Sequence, residues 1–419
     1  MSHSPVVLLV APTGAESEGY RGYCLRSVAA AYDVVLITQE EPSWEVPYIR
    51  DCVVVPDPTD QTQLDQAGQA LAERWNLAGA LTWTEWYLVP VARLAHRLGL
   101  SANPVEAVLA CRDKAAARQL FDRHQVPSAI SCSVRSLGEA QAAAEQIGFP
   151  VVVKPAAHAA SVGVVRADDA EQLTTAYRHA AEAAAQGKES TDVLVEEYLD
   201  GPEISVECVT RHGSTTVVAV TRKTVGMAPH FEELAHCVDA ADELRETVAP
   251  VARAAITALG VTDGVSHIEM RLVDGRPRLI EVNGRLGGDM IGHLVRLATG
   301  IDLTRAAADI ACGRTPALTP TRSSAAAVKL LYPTTSGTVT RLRFHGTQPW
   351  LDTVYFQRRP GDEVLLPADG GDTFTARIGY LVATASTGAQ AGDRAEEAAR
   401  GLTVHVRPRT GTVRREAGA

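Results

Sequence analysis

The chain has 419 residues, 46% hydrophobic and 21% charged, with a formal net charge of −10. That length leaves room for about two to four domains with ample core, and the acidic balance excludes a general counterion-release affinity for nucleic acid while leaving room for a local phosphate site. The seven cysteines are odd in number and form no CxxC pair, so they read as reduced thiols of a cytoplasmic protein, neither zinc ligands nor a disulfide framework. The run Val6-Val7-Leu8-Leu9-Val10 before Ala11-Pro12 is too short for a signal h-region and has no basic flank, so it predicts a buried first strand. No run approaches the roughly 18 apolar residues of a membrane span, and no membrane partner is expected.

In chain order, β-rich runs at 6–10, 34–37, 53–55 and 80–83 alternate with helical stretches at 20–31, 61–75 and 86–98. This βαβ pattern predicts a parallel sheet. The first turn, Ala11-Pro12-Thr13-Gly14-Ala15-Glu16-Ser17-Glu18-Gly19, is not GxGxxG, so no dinucleotide fingerprint sits where one belongs. Asn103-Pro104 marks a boundary. Beyond it the pattern predicts helices over 105–124 and 137–147, a strand over 151–154, a small-residue loop over 156–163 and a helix over 170–185. Strands follow at 193–198, 204–211 and 217–223, then a helix over 241–259 and a hairpin of 265–271 with 278–283 around Asp274-Gly275. From about 320, runs at 325–331 and 337–342 predict a small β-rich module, followed by a polar, frayed tail.

Four segments carry chemistry. Lys114 and Arg118 stand four apart and share one face of the predicted helix; a solvated face is the plain alternative. Lys154 ends an apolar strand, where it is costly unless it meets an anion or a carboxylate or snorkels out. The small side chains of 156–163 would let backbone N–H groups approach phosphate oxygens. In Glu196-Glu197-Tyr198-Leu199, backbone groups can face a flat base, and Glu203 beyond the turn can accept ribose hydroxyls; an ordinary strand with an acidic edge is the alternative. Glu269, Glu281 and Asn283 place two carboxylates and an amide on apolar strands, as a hard Mg²⁺ ion requires, or as a structural ion-pair network would. To reach one cation, Glu269 and Glu281 must share a face. A two-residue turn would pair Val273 with Arg276 and Glu269 with Ile280, whereas a three-residue loop, Asp274-Gly275-Arg276, pairs Glu269 with Glu281 and His267 with Asn283. The expectation is the three-residue loop or an equivalent bulge.

In this order and at these spacings, the segments resemble the ATP-grasp superfamily over about residues 105–315. The resemblance implies an α/β (α+β) ATP-grasp fold: a Rossmann-like domain at 1–104, an ATP-grasp domain at 105–318 with a lid over about 126–198, a small β-rich C-terminal domain at 319–410 and a tail at 411–419. It implies ATP as cofactor, with Lys114 and Lys154 on its phosphates beside Ser161, Val162 and Gly163 of the lid loop. Glu196, Glu197, Tyr198 and Leu199 would hold adenine and Glu203 the ribose. Glu269, Glu281 and Asn283 would bind Mg²⁺, or Mn²⁺ in its place, and Arg285 would be the catalytic arginine on an acyl phosphate. The loop after Lys154 departs from the pattern, with Ala, His and Ser where many members have glycines.

Within the superfamily the chain is most similar to bacterial L-amino-acid ligases, which make dipeptides. The likeness lies in His230-Phe231-Glu232-Glu233-Leu234-Ala235-His236, in Asn283-Gly284-Arg285-Leu286-Gly287-Gly288-Asp289, and in 326–333 followed by 337–339. It implies substrate contacts from His230, Glu233, His236, Arg285 and Asp289, with Asp289 pairing either a substrate ammonium or Arg285. The expected activity is an ATP-dependent carboxylate–amine ligation through an acyl phosphate, joining two amino acids and releasing ADP and phosphate. The partners would be small molecules, with a homodimer left open. Other ATP-grasp chemistry (a bicarbonate-dependent carboxylase or a nucleotide-biosynthesis ligase) and a non-catalytic ATP-binding regulator are the alternatives.

Overall fold

Val-, Ile- and Leu-rich strands bury both faces when helices cover a parallel sheet. The computed structural model, which describes residues 4–409, folds the first segment in this way; the tail at 411–419 lies outside the described residues. Strand Val6–Val10, buried throughout, runs parallel between Asp33–Thr38 and Leu77–Leu81, with Asp51–Val54 outermost. Helices Ala15–Ala29, Gln61–Arg74 and Leu88–Arg97 make the connections. The spatial order of the strands changes direction between Val6–Val10 and Leu77–Leu81, and at such a point the outgoing chain segments diverge and leave a crevice.

The helix expected over 105–124 is two helices, Val105–Arg112 and Lys114–Arg123. Asp113 divides them: its backbone is extended and its carboxylate accepts from the N–H groups of Ala115 and Ala116, an N-cap that competes with continued helix. The break makes Lys114 the first helical residue, and its own N–H donates to the Ala156 carbonyl at 2.9 Å. A four-stranded antiparallel sheet follows, in the order Ser131–Val134, Val193–Glu197, Val151–Pro155, Val165–Ala167. Alanine faces of helices Leu137–Ile147 and Ala170–Ala184 cover it.

The largest sheet has eight strands: Arg276–Asn283, Gly264–Val273, Glu203–Arg211, Ser214–Gly226, Glu232–Asp239, Ala325–Leu331, Gly379–Ala385 and Leu351–Phe356. The run at 325–331 therefore continues this sheet by pairing with Glu232–Asp239. Gly337–Phe344, Glu363–Val364 and Leu402–Pro408 form a separate three-stranded sheet. The first segment packs directly on the large sheet, since Tyr23, Leu25, Leu286, Ile291 and Val328 share one apolar core. Among the described residues no helix is long and apolar enough to cross a membrane.

The hairpin takes the second of the two expected forms, a tight turn with a bulge, and keeps the expected pairing. Val273 faces Arg276 across the two-residue turn Asp274-Gly275, whose φ angles are 50° and 75°, the positive pair that matches strand twist in tight hairpins. That turn alone would put Glu269 opposite Ile280. Instead the register shifts between Glu269 and Met270, so Glu269 faces Glu281 and His267 faces Asn283. The extra residue is Ile280, and its carbonyl accepts from Arg118 Nη2 at 2.6 Å. A bulge, and not a longer loop, restores the common face. Gly275→Val should therefore strain the turn and lower stability by about 1–2 kcal/mol, read as a lower midpoint in urea unfolding. An unchanged midpoint would show that the turn does not hold the register.

Candidate functional site

Three of the four sheets and the C-terminal segment line a cavity of about 540 Å³, a size suited to a nucleotide or a small substrate. At one end Lys154, buried at the end of strand Val151–Pro155, sets its Nζ 2.5 Å from Glu196. Arg118 also grips Glu196, through Nε at 2.8 Å and Nη2 at 3.1 Å. Burial pushes the Glu196 carboxyl up, but Arg118 and then Lys154 outweigh it and hold it at about 2. Burial pulls Lys154 below the ordinary lysine value, against the attraction of Glu196. Lys114 reaches Glu281 at 2.9 Å and donates to the His158 carbonyl at 2.9 Å.

Across the hairpin, Glu269 meets Lys223 at 2.7 Å and His267 Nε2 at 3.1 Å. Burial disfavours its charge, yet Lys223 and His267 hold the carboxyl well below the usual range. His267 also meets Glu207 at 2.9 Å. Against burial, Glu207 and Glu269 raise its pKa to about 10. Asn283 donates Nδ2 to Glu281 at 2.9 Å, which leaves its Oδ1 as an acceptor. Two facing carboxylates and an amide oxygen are an all-oxygen donor set, and they fit a hard divalent cation.

At the other end Arg285 pairs with Glu85, which also takes Arg112 Nη1 at 2.6 Å. Burial would raise the Glu85 carboxyl, but Arg285 and Arg112 keep it at about 2. Asp289 binds Arg377 through two contacts, at 2.5 and 3.3 Å. Glu233 lies 2.5 Å from Lys223 and 2.7 Å from His236 Nε2. Arg271 takes Glu203 Oε2 at 3.0 and 3.2 Å.

Residues 147–293 match the family model described as an ATP-grasp domain. The chain carries an ATP-grasp domain. Residues 329–407 match L-amino acid ligase C-terminal domain 2. The crystal structure of an L-amino acid ligase from Bacillus licheniformis superposes with a TM-score of 0.81 over 97% of this chain and all of that one, at 21% identity, which shows the shared ATP-grasp fold. Protein y4rH of Sinorhizobium fredii is 28% identical over 81% of this chain and 70% of its own length. Alanine–anticapsin ligase of Bacillus subtilis is 27% identical over 58% of this chain, which spans 55% of that protein's length.

Most of the residues read from the sequence line the ATP-grasp cavity: Lys114, Lys154, Ser161, Val162, Glu196, Glu197, Tyr198, Leu199, Glu203, Glu233, Glu269, Glu281, Asn283, Arg285 and Asp289. Three expected residues are not on its wall. His230 stands edge-on to His179, with ring centroids 6.3 Å apart. Gly163 has φ 76°, and a Cβ there would sit 2.6 Å from the Ala183 Cβ; it lets the loop pack on helix Ala170–Ala184. His236 is buried behind Glu233 and Asp289, 3.7 Å from the latter, so it orients them from the core side. Of the two partners expected for Asp289, Arg285 is displaced: Asp289 pairs with Arg377, which comes from 88 positions further along the chain.

Sequence reasoning missed Glu85, Lys223 and Arg377. Lys223 carried the same signal as Lys154, a lysine on an apolar strand. Glu85 and Arg377 lie in non-periodic segments and carried none. The depressed Glu85 and Glu196 pKa values tie stability to acid pH. Their contribution is full above the ordinary glutamate value of 4.5 and is lost as pH falls towards about 2. Glu196→Gln should cost about 3–5 kcal/mol at neutral pH by leaving Arg118 and Lys154 buried without their carboxylate. It should also flatten the wild-type decline between those pH values, as followed by chemical denaturation at each pH. A variant with the full wild-type slope would show that Glu196 is not the titrating group.

Proposed function

We propose that the protein is an ATP-dependent carboxylate–amine ligase joining two amino acids, or amino-acid-like substrates, through an acyl phosphate. The observation that carries this reading is the bulged register. It sets Glu269 opposite Glu281 on the same cavity as Lys114, Lys154 and Arg285. Lys114 and Lys154 would neutralise the nucleotide phosphates, with Ser161 and Val162 closing over them. Glu197, Tyr198 and Leu199 would border the adenine, with Glu196 behind them holding Lys154, and Glu203 would take the ribose. Glu269, Glu281 and Asn283 would hold Mg²⁺, which supplies charge neutralisation between phosphate oxygens during in-line transfer.

The substrate carboxylate attacks the terminal phosphorus of ATP, and ADP leaves with the bridging oxygen. The amine of the second substrate then attacks the carbonyl carbon, inorganic phosphate departs, and the nitrogen loses a proton to give the amide. Arg285, a planar fork already oriented by Glu85, would bind the acyl phosphate. Glu233 and Asp289 line the part of the cavity left for substrates, with His236 holding them from behind. Protein dipoles and cations in place of water stabilise the transferring charge and limit hydrolysis of the intermediate. The same reading divides the chain at about 104 and 318. It puts the enzyme in the cytoplasm, where its seven free cysteines stay reduced.

Phosphate release measured against a matrix of amino-acid pairs, with mass spectrometry of the products, tests the reading. At least one pair should give stoichiometric dipeptide, ADP and phosphate. Lys154→Ala should weaken ATP binding in calorimetry, and Glu281→Gln should lower Mg²⁺-dependent turnover by about 10- to 100-fold. ADP formed with no coupled product from any amine, or Glu281→Gln at full activity, would overturn it.

A further inference from the structure

Open α/β sheets take ligands outside the carboxyl ends of their strands, at the point where strand order changes direction. In the first sheet that point lies between Val6–Val10 and Leu77–Leu81. The segments leaving these two strands, at 12–21 and 83–86, both line the main cavity. They bring Arg21 and Trp83 to its wall. Arg21, on helix Ala15–Ala29, gives Nη1 to the Gly287 carbonyl at 3.0 Å. Every other arginine or lysine on the cavity wall is ion-paired: Lys114 with Glu281, Lys154 with Glu196, Arg271 with Glu203, Arg285 with Glu85 and Arg377 with Asp289. No carboxylate among the described residues lies within salt-bridge distance of Arg21. Trp83 is 4% exposed, and its indole Nε1 has no hydrogen-bond partner among the described residues. Buried indole N–H groups normally find an acceptor.

We propose that this crevice holds the free carboxylate of the amine-bearing substrate, with Arg21 as its counter-ion and Trp83 as a second donor. The inference rests on the ligase reading and narrows it. The acyl donor's own carboxylate becomes a mixed anhydride with phosphate beside Arg285, so it cannot also remain as an anion on Arg21. The carboxylate that stays ionised from binding to product release belongs to the amine partner. Arg21 is tied to the Gly287 carbonyl and Arg285 Nη1 to the adjacent Leu286 carbonyl at 2.7 Å, so the two guanidiniums are held by neighbouring peptide units. An amino acid whose carboxylate sits on Arg21 can therefore bring its amine to an acyl carbon held by Arg285. The guanidinium fork matches a carboxylate, and the partial burial of Arg21 strengthens the pair relative to water. The amine substrate is then an amino acid and not a simple amine, and the product keeps a free carboxylate.

The test fixes one acyl donor and compares an amino acid with its own carboxamide as the amine, in wild type and in Arg21→Ala, Arg21→Lys and Trp83→Phe. Wild type should favour the free acid. Arg21→Ala should raise KM for the acid at least about tenfold, with KM for ATP and for the carboxamide unchanged. Arg21→Lys should recover part of the loss, and Trp83→Phe should show a smaller rise confined to the acid. Thermal melts identify any variant that fails to fold. In that case the wild-type comparison and Trp83→Phe decide. Equal effects of Arg21→Ala on both amines, or a wild type that accepts both equally, would overturn the inference while leaving the ligase reading intact. A wild type that forms no product from any amine would overturn the ligase reading and this inference with it.

Discussion

Lys223 is the counter-ion that three parts of the site share. It sits on Ser214–Gly226, inside the eight-stranded sheet, with Glu233 at 2.5 Å, Glu269 at 2.7 Å and Glu203 at 3.4 Å. Those carboxylates belong to the regions assigned to substrate, metal and ribose. A buried carboxylate without a cation beside it would take up a proton and could no longer serve as a ligand. One lysine thus lies within ion-pair distance of three acids, and the three regions share a counter-ion. The cation has to come from the sheet, because an exposed, flexible lysine would be screened by water and lose its hold.

The same logic recurs around the cavity. Glu196 stays charged because Arg118 and Lys154 converge on it, and Glu85 because Arg285 and Arg112 do. These pairs join separate pieces of the fold. Arg118 comes from a helix and Glu196 from the small antiparallel sheet, and Glu85 from the turn after the first parallel sheet. Isolated buried ion pairs add little net stability. Here they fix orientation: each cation arrives already aimed, so little reorganisation remains for the moment of reaction.

The C-terminal segment takes part in the site as well as in the fold. Arg377 fastens Asp289 and also donates to the hydroxyl of Tyr332, which in turn donates to Glu232. Because Ala325–Leu331 and Gly379–Ala385 continue the sheet that carries Glu232–Asp239, Tyr332 and Arg377 are held by the same hydrogen-bonded ladder as Glu233. The geometry around Glu233 and Asp289 is therefore set across one continuous sheet, without relying on the docking of a loosely attached module.

The sequence by itself determined the features that obey local rules. Apolar strands alternating with amphipathic helices dictate the parallel sheet, and lysines and glutamates on apolar strands announce buried charge. The order of the segments carried the ATP-grasp resemblance, and most of the residues it singled out line one cavity. The hydrophobic pattern could not show Glu232–Asp239 as a strand, because Glu232 and Glu233 face the cavity while His236 is buried, which breaks the usual alternation. Nor could it choose between a longer loop and a bulge, since both give Glu269 and Glu281 a common face. That choice was made by a positive-φ turn and by Arg118, which reaches the bulged carbonyl of Ile280 from a helix more than 150 residues earlier. Pairings such as Arg377 with Asp289 and Arg285 with Glu85 were likewise decided only in the tertiary structure. A counter-ion need only be near in space, and chain spacing carries no record of which distant cation folding will bring to a given carboxylate.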